Sequence, residues 1–355
     1  MHKKVYIIIL DITATGGTER AVINLANMLV PYVNNVSIIS LLSYAGGKSY
    51  FSLDNNICVK HLGMNIIPAC TIRKLFWYLK LYNILLKNVG KGSIVIGSGH
   101  NLNFILSLFI GRKRIACEHI QLDSIPVLHR KIMSILYRNL DLLVVLSESA
   151  RRKLEKYNKC IKIIPNALPF LPCSCSSLNE KKIIMVGRLS EEKGYERVVN
   201  VALFLKAKYP LWSIHIFGDG PIKQSLIALY KDKGVDDWVY IHDPVRNIQV
   251  EYLKSSIYLM TSYNEALPMV ILEAKSCGLP VVAYKCEGTM ELITEDYDGY
   301  LIDNGNIDLL NQKLEYLIND FDKRSIMGQN AITSCHKFRP EIISHLWIEQ
   351  INLLS

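Results

Sequence analysis

Short apolar runs alternate with segments of helical periodicity along the first half of the chain. The run from Val5 to Leu10 predicts a buried strand, and a glycine turn separates it from a helix predicted from Glu19 to Leu29. Further strands are predicted from Val36 to Leu42, Cys58 to Leu62, Ile94 to Ile96, Arg114 to Cys117 and Leu142 to Leu146. Continuous apolar strands separated by helices indicate a parallel sheet that is covered on both faces.

The same pattern restarts after a stretch rich in Pro, Cys and Ser, from Ala167 to Asn179, which is typical of a linker. A strand from Lys182 to Val186, a helix from Glu196 to Lys208 and a strand from Trp212 to Phe217 are predicted next. A chain of 355 residues is long for one domain and comfortable for two. We therefore predict α/β domains over residues 1–168 and 169–339, followed by a C-terminal helix over 340–355.

The segment from Ser262 to Tyr284 carries the clearest chemistry. It predicts a loop after a buried strand, then a helix that starts at Pro268 and is stopped by Gly278, then another strand. Backbone N–H groups at such a loop favour an anion. The carboxylates of Glu265 and Glu273 would not bind phosphate there, but they would accept hydrogen bonds from the hydroxyls of a phosphorylated sugar or a ribose.

A second candidate site opens the second half, where the sequence reads VGRLSEEKG. Arg188 emerges at the carboxyl end of its predicted strand, and Lys193 follows across a turn. Ligands of open α/β sheets bind at this edge. Two cations that converge there suit a diphosphate.

The segment after Ser262 resembles the donor-sugar motif of glycosyltransferase family 4, and the resemblance extends over nearly the whole chain. The family pattern is Glu-Gly-Phe/Leu-Pro-Met-Val/Ile-x-x-Glu-Ala-x-x-x-Gly-x-Pro-Val. The matching residues are Glu265, Leu267, Pro268, Met269, Val270, Glu273, Ala274, Gly278, Pro280 and Val281. Ala266 replaces the common Gly, which adds a methyl group beside the donor pocket.

The resemblance implies a GT-B fold, in which two Rossmann-like domains face an interdomain cleft and the C-terminal helix crosses back to the first domain. It implies that Arg188 and Lys193 hold the donor diphosphate without a metal or other cofactor, that Glu273 binds ribose and that Glu265 binds the transferred sugar. The loop residues that would contact the donor are Ala266, Leu267, Pro268 and Met269.

The first half contributes fewer candidates. Gly16 and Gly17 belong to a GGxER string that the family shares at this place, and they would let the backbone approach the donor closely. His119 follows a predicted strand, and the matching family histidine lies near the sugar, where it would donate a hydrogen bond to a hydroxyl or an oxyanion. His100 has a similar position, with the structural and functional interpretations equally open.

Three other motifs are interpreted as structural. Ile164-Pro165-Asn166 matches the family hinge, and Gly218-Asp219-Gly220-Pro221 matches a turn that shapes the nucleotide pocket. Asp296-Tyr297-Asp298 resembles the metal-binding motif of another glycosyltransferase fold, but its place beside Gly299 predicts a turn.

Charge is distributed unevenly between the halves. Residues 1–168 hold 22 Lys and Arg against 8 Asp and Glu, a net charge of +14, whereas residues 169–355 hold 19 against 24, a net charge of −5. Arg73, Lys80 and Lys87 recur every seven residues in an aromatic-rich segment from Ile72 to Lys91, which predicts a basic amphipathic helix. We favour an anionic membrane surface over nucleic acid as its partner; a helix that merely covers the sheet is the alternative.

Location is predicted from absences in the sequence. No secretory signal peptide or membrane span is predicted. The nine scattered cysteines are expected to be reduced thiols in the cytosol. We therefore expect a cytoplasmic protein that lies at the inner face of the plasma membrane.

From the resemblance we expect a retaining enzyme that moves a hexose or N-acetylhexosamine from a UDP-sugar to a lipid-linked glycan in bacterial O-antigen or capsule synthesis. Two other functions stay open at this point. One is a nucleotide-sugar isomerase of the UDP-N-acetylglucosamine 2-epimerase kind, and the other is a non-catalytic subunit that binds sugar nucleotides.

Overall fold

The computed structural model describes residues 4–44, 46–68, 71–119 and 122–354. The chain divides into two compact units. The first consists of Met1–Pro169 together with Pro340–Ser355, and the second of Phe170–Arg339.

The first unit contains a seven-stranded parallel sheet in the order β3-β2-β1-β4-β5-β6-β7. Its strands are β1 (Lys4–Ile9), β2 (Asn35–Ser40), β3 (Cys58–His61), β4 (Ile94–Ser98), β5 (Lys113–Glu118), β6 (Leu142–Val145) and β7 (Ile161–Ile163). Its connecting helices are α1 (Gly17–Leu29), α2 (Thr71–Asn88), α3 (His100–Leu106), α4 (Val127–Leu136) and α5 (Glu148–Leu154). The central strands are buried, as continuous apolar runs require of a doubly covered sheet.

The second unit contains a six-stranded parallel sheet in the order β10-β9-β8-β11-β12-β13. Its strands are β8 (Lys182–Val186), β9 (Ser213–Phe217), β10 (Val239–His242), β11 (Ile257–Met260), β12 (Val281–Tyr284) and β13 (Gly299–Ile302). Its helices are α6 (Val198–Leu205), α7 (Lys223–Asp232), α8 (Ile248–Leu253), α9 (Met269–Ser276), α10 (Glu287–Leu292), α11 (Ile307–Asn319) and α12 (Phe321–Cys335). The two sheets confirm the predicted pair of Rossmann-like α/β units.

A last helix, α13 (Pro340–Leu353), belongs to the first unit although it follows the second in sequence. Ile343, Trp347 and Ile351 of α13 are buried in the same apolar cluster as Val22 of α1. Burial of these side chains fixes α13 on the face of the first sheet that α1 covers.

Helix α2 lies on the other face of the first sheet. Trp77, Leu81 and Leu85 form its buried stripe. The charged residues Arg73, Lys80 and Lys87 are all exposed. Helix α2 therefore covers the sheet with its buried stripe, and these basic residues lie outside that stripe on its exposed surface. Of the helices that the structure describes, none is long and apolar enough to cross a membrane.

Several element boundaries differ from the sequence pattern. Helix α1 begins at Gly17, two residues before the predicted start. The helix predicted from Glu196 is shorter, because two 3-10 turns, Glu191–Lys193 and Tyr195–Arg197, precede α6. Edge strands β7, β10 and β13 were not predicted, since their three or four residues are too few to show a clear period.

A buried carboxyl group ties the helices of this face to the end of β5. Glu118 is 3 % exposed. Its Oε1 accepts a hydrogen bond of 2.7 Å from Asn103 Nδ2 of α3, and another from the hydroxyl of Tyr137, just after α4. Burial raises the pKa of Glu118 to about 7, although both hydrogen bonds act in the opposite direction. The protonated carboxyl is therefore the form that the fold favours.

This predicts a pH-dependent effect of Glu118→Gln. A raised folded-state pKa contributes stability that is complete below the ordinary value near 4.5 and is lost as the pH rises through about 7. Glutamine keeps the accepting oxygen and does not titrate. The free energy of unfolding of the variant, relative to that of wild type, should rise by on the order of 2 kcal/mol between about pH 5 and pH 8. Chemical denaturation at several pH values measures this difference. A difference that stays constant over this range would contradict the assignment.

Candidate active site

Two loops at the carboxyl edge of the second sheet are fastened to each other. Gly194 has a φ of +64°, and a Cβ there would lie 2.3 Å from the carbonyl oxygen of Thr261. The hydroxyl of Thr261 donates to the Lys193 carbonyl at 3.2 Å, and the N–H of Tyr263 donates to the Glu192 carbonyl at 2.9 Å. The loop that follows β8 is thereby held against the loop that follows β11.

This packing brings Lys193 and Glu265 together. Lys193 Nζ lies 2.6 Å from Glu265 Oε1, and the hydroxyl of Ser262 donates to the same oxygen at 2.8 Å. The side chains of the pair are 24 % and 10 % exposed. The sequence assigned the two residues to different parts of a donor and did not predict their contact. Ser262 was missed as a site residue, although its place three residues before Glu265 was a signal.

Arg188 adds a second cation to the same corner. It is exposed, beyond the end of β8. Burial raises the pKa of Glu192, but the Ser190 hydroxyl, Lys193 and Arg188 lower it further, so that the pKa lies below its ordinary value. Arg188 and Lys193 thus both act electrostatically on one carboxylate. A site with two cations so placed can hold a polyanion.

The turn after β9 packs directly on the Arg188 loop. A Cβ at Gly218 would lie 1.9 Å from the Gly187 carbonyl oxygen, and one at Gly220 would lie 2.3 Å from that of Leu189. The N–H of Leu189 donates to the Asp219 carbonyl at 2.9 Å. Both glycines are therefore required where the two loops meet.

Helix α9 places the second predicted carboxylate. Glu273 is 1 % exposed, and its Oε2 accepts a hydrogen bond of 3.1 Å from Tyr252, a buried residue of α8 that the sequence did not point to. Helix α9 begins at Met269, one residue after the predicted start at Pro268.

The donor-motif loop is mostly buried. Leu267, Pro268 and Met269 are buried, and Ala266 is half-buried. The start of α10 lies against this loop. The N–H of Gly288 donates to the Glu265 carbonyl at 2.9 Å. A Cβ at Gly288 would lie 2.8 Å from the carbonyl oxygens of both Glu265 and Ala266. Gly288 was missed because the need for glycine arises from this tertiary contact.

In the first unit, Gly16 and Gly17 lie where β1 leads into α1. A Cβ at Gly16 would lie 2.4 Å from Glu19 Oε2, whereas one at Gly17 would meet nothing within 4 Å. The Glu19 carboxylate, the far end of a flexible side chain, fills the space beside Gly16 and would have to move to admit a Cβ there.

His119 follows β5 and is half-buried. Its buried Nδ1 has no hydrogen-bond partner among the described residues, and the side chain lines a small cavity with Ser98 and Asn166. Burial lowers the pKa of His119 to about 4, so the imidazole is neutral near pH 7.

The Asp296-Tyr297-Asp298 motif is a turn in which each carboxylate has a cationic partner. Asp298 is fully buried and lies 2.8 Å from Lys275 Nζ. Asp296 has a φ of +59° and lies 3.0 Å from Lys323. Within the described ranges, no three His, Cys, Asp or Glu side chains are grouped as a metal site would need.

Comparisons with known proteins identify the class. Residues 176–334 match the family model of glycosyl transferases group 1. An uncharacterised glycosyltransferase of Haemophilus influenzae is 30 % identical over 90 % of this chain and 91 % of its own length. The amylovoran biosynthesis glycosyltransferase AmsD of Erwinia amylovora is 27 % identical over 98 % of this chain and 99 % of its own.

A third relative and two solved structures are similar over nearly the full length. An N-acetylgalactosaminyltransferase of Campylobacter jejuni, named for an acceptor on PP-undecaprenol, is 27 % identical over 95 % of both chains. A TarM variant of S. aureus, solved with UDP and other ligands, has a TM-score of 0.83 at 15 % identity and covers 99 % of this chain and 100 % of its own. Anabaena HepE with UDP-glucose has a TM-score of 0.78 at 18 % identity, over 99 % and 100 %.

The chain therefore belongs to the group 1 glycosyl transferases, glycosyltransferase family 4, and has the GT-B class of fold. The predicted family and fold are confirmed. The predicted enzyme class is confirmed with them, so neither the isomerase nor the non-catalytic subunit is supported.

The contact at Gly288 generates a prediction. Gly288→Ala should displace the Glu265 loop, since its methyl group cannot fit beside two carbonyl oxygens. We expect the free energy of unfolding to fall by about 1–3 kcal/mol, which is typical of overpacking. Turnover of the sugar nucleotide should fall even under conditions in which the variant remains folded. Denaturation curves and UDP release from the donor measure the two effects.

Gly90→Ala is the matched control, because a Cβ at Gly90 meets nothing within 4 Å. It should leave stability and turnover near wild type. Wild-type behaviour of Gly288→Ala in both assays would contradict the proposed packing.

Proposed function

We propose that this glycosyltransferase transfers a hexose or N-acetylhexosamine from a UDP-sugar to a lipid-linked glycan, with retention of anomeric configuration. The observation that carries the proposal is the cluster of Lys193, Glu265 and Ser262, with Arg188 beside it, at the carboxyl edge of the second sheet. Cations and a carboxylate in one corner suit a ligand that has both phosphates and hydroxyls.

Each residue of the cluster has a proposed role. Arg188 and Lys193 bind the diphosphate and stabilise the negative charge of the leaving nucleotide. Glu265 accepts hydrogen bonds from hydroxyls of the transferred sugar. An ammonium group has three N–H donors, and Glu265 occupies one of them at 2.6 Å, so Lys193 can hold a phosphate oxygen as well.

Glu273 is proposed to accept hydrogen bonds from ribose hydroxyls. Its hydrogen bond from Tyr252 fixes the carboxylate in one orientation. His119 is proposed to donate a hydrogen bond to the sugar, a role that its neutral imidazole can perform near pH 7. Gly16 and Gly17 are proposed to let the backbone approach the donor.

The proposed reaction needs no nucleophile from the protein. The acceptor hydroxyl attacks the anomeric carbon on the face from which UDP leaves, and the bond from that carbon to the phosphate oxygen breaks. The hydroxyl proton passes to the departing phosphate oxygen. Arg188 and Lys193 supply the positive charge that this oxygen needs, so no metal is invoked.

The names of relatives support the choice of substrates. HepE and the TarM variant were solved with UDP-glucose and with UDP, and the Campylobacter enzyme is named for an acceptor on PP-undecaprenol. AmsD is named for amylovoran biosynthesis, and another relative for O-antigen biosynthesis. We propose a role in bacterial surface polysaccharide assembly, at the cytoplasmic face of the plasma membrane.

A panel of UDP-hexoses and UDP-N-acetylhexosamines tests the donor. The purified protein should release UDP from at least one member of the panel. Arg188→Ala and Lys193→Ala should each lower the rate by roughly 10²–10³ with little change in melting temperature, as loss of a charged contact to a developing anion does. Excess EDTA should leave the wild-type rate unchanged.

Lys181→Ala is the control, since Lys181 is exposed just before β8 and has no proposed role. Wild-type rates in both Arg188→Ala and Lys193→Ala would refute the assignment of these residues to the diphosphate. Complete loss in EDTA, restored by Mn²⁺ or Mg²⁺, would refute the metal-free mechanism.

An anionic membrane surface is the proposed partner of the first unit. Helix α2 exposes Leu75, Phe76 and Leu79 beside its exposed basic residues. Helix α4 adds a similar face. Four exposed residues of α4 lie at helical spacing, and an exposed arginine follows in the 3-10 turn after the helix: Val127, Leu128, Lys131, Ile135 and Arg138. Apolar side chains with interspersed cations suit the boundary of an anionic bilayer.

Vesicle binding tests the membrane proposal. Changing Arg73, Lys80 and Lys87 together to Glu should weaken binding to anionic vesicles at least about a hundredfold, since each cation near such a surface contributes about 1 kcal/mol. Hydrolysis of a soluble donor should not change. Sedimentation with anionic and neutral vesicles over a range of salt measures the effect.

The same charge change made at Lys181, Lys231 and Lys254, which are exposed in the second unit, is the control. It should leave vesicle binding nearly intact. If the α2 variant still sediments like wild type, α2 is only a covering helix.

A further inference from the structure

Three basic side chains from three different helices converge within the first unit. They are Lys74 of α2, His100 at the start of α3 and His129 in the first turn of α4. Lys74 Nζ lies 3.4 Å from His129 Nε2, and the two imidazole centroids are 5.4 Å apart. All three are half-buried. His129 Nδ1 is buried and has no hydrogen-bond partner among the described residues, so Nε2, beside Lys74, is the nitrogen that an anion would meet.

No carboxylate compensates these groups among the described residues. Burial, His129 and Lys74 together lower the pKa of His100 to about 4, and burial and Lys74 lower that of His129. The carboxyl of Glu118 lies beneath the same helices, but it is buried and bound by Asn103 and Tyr137. An anion among the three groups would remove their mutual repulsion and favour charged imidazoles.

The residues around the cluster indicate what kind of anion would bind there. His129 lies in the first turn of the ten-residue helix α4, where the helix dipole favours negative charge. Leu75 and Phe76 follow Lys74, Leu128 precedes His129, and all three are more than half exposed. An anionic group bound here would therefore have apolar surface beside it for an attached chain.

We propose that Lys74, His100 and His129 bind the phosphate groups of a lipid diphosphate, the anionic part of a lipid-linked acceptor. The inference rests on the proposed function for its identification of the lipid as an acceptor. The cluster gives the first unit a specific contact to the substrate, distinct from the diffuse attraction between exposed lysines and a bilayer.

The alternative explanation is that His100 and His129 only pack against neighbouring aromatic rings and bind no ligand. The Phe104 ring lies 5.9 Å from the His100 ring and 5.7 Å from the His129 ring. Packing alone requires no response of the imidazoles to an added anion, so their titration separates the accounts.

The test uses the full-length protein with saturating UDP, which occupies the donor site, and farnesyl diphosphate below its micellar concentration. Histidine side-chain NMR should show His100 and His129 taking up protons as farnesyl diphosphate binds. Calorimetry should show binding weakened roughly ten- to a hundredfold by Lys74→Gln or His100→Gln, the range for a lost hydrogen bond to a charged group. Lys74→Arg should retain most of the affinity.

Lys91→Gln and His345→Gln are matched controls, since both residues are exposed and lie outside the cluster. Both should bind like wild type, and melting temperatures identify any variant that fails to fold. Inorganic pyrophosphate and farnesol are the reference ligands, and each should bind more weakly than farnesyl diphosphate.

Unchanged imidazole signals, or equal binding of farnesol, would overturn the site. Equal binding of pyrophosphate would overturn its assignment to a lipid. Donor hydrolysis reports on the proposed function independently: turnover without farnesyl diphosphate binding refutes only this inference, and binding without turnover refutes only the proposed function.

Discussion

The close approach of the loop after β8 to the loop after β11 is the constraint on which the candidate site depends. Strands β8 and β11 are neighbours, but the chain builds β9 and β10 on one side of β8 before it returns to β11 on the other. Such a reversal opens a crevice at the carboxyl edge of a parallel sheet. Gly194 lets the first loop reach the carbonyl of Thr261, and residues 72 positions apart then come into contact.

The ion pair formed by that contact is intermediate between a solvent-exposed and a fully buried ion pair. Lys193 and Glu265 are too shielded to be an ordinary surface ion pair and too exposed to be a fully buried one. Ser262 fixes the carboxylate oxygen on which the ammonium group depends. The pair is held in position before any ligand arrives, so less ordering is needed when one binds.

The two units differ in how their cations are compensated. In the second unit Lys182, Lys206 and the buried Lys275 each have a carboxylate partner. In the first half of the chain, Lys and Arg outnumber Asp and Glu by 22 to 8, so most of its cations cannot have a carboxylate of their own. The excess is the physical reason for proposing that this half meets anionic ligands and surfaces, while the other half binds the nucleotide.

The amino-acid sequence by itself determined the fold class and the motifs. Most of the strands were predicted from local signals, namely apolar runs, helical periodicity and glycines at turns. The motif from Glu265 to Val281 was enough to indicate the family. The edge strands β7, β10 and β13 and several helix ends were not predicted. Strands of three or four residues show little of a period, and helix ends depend on neighbouring contacts.

The tertiary structure decided which of these residues touch. The Lys193–Glu265 pair, the partnership of Tyr252 with Glu273, the need for glycine at position 288 and the cluster of Lys74, His100 and His129 join residues from different elements. Spacing along the chain carries no information about them, since each contact exists only once two separately formed elements pack together.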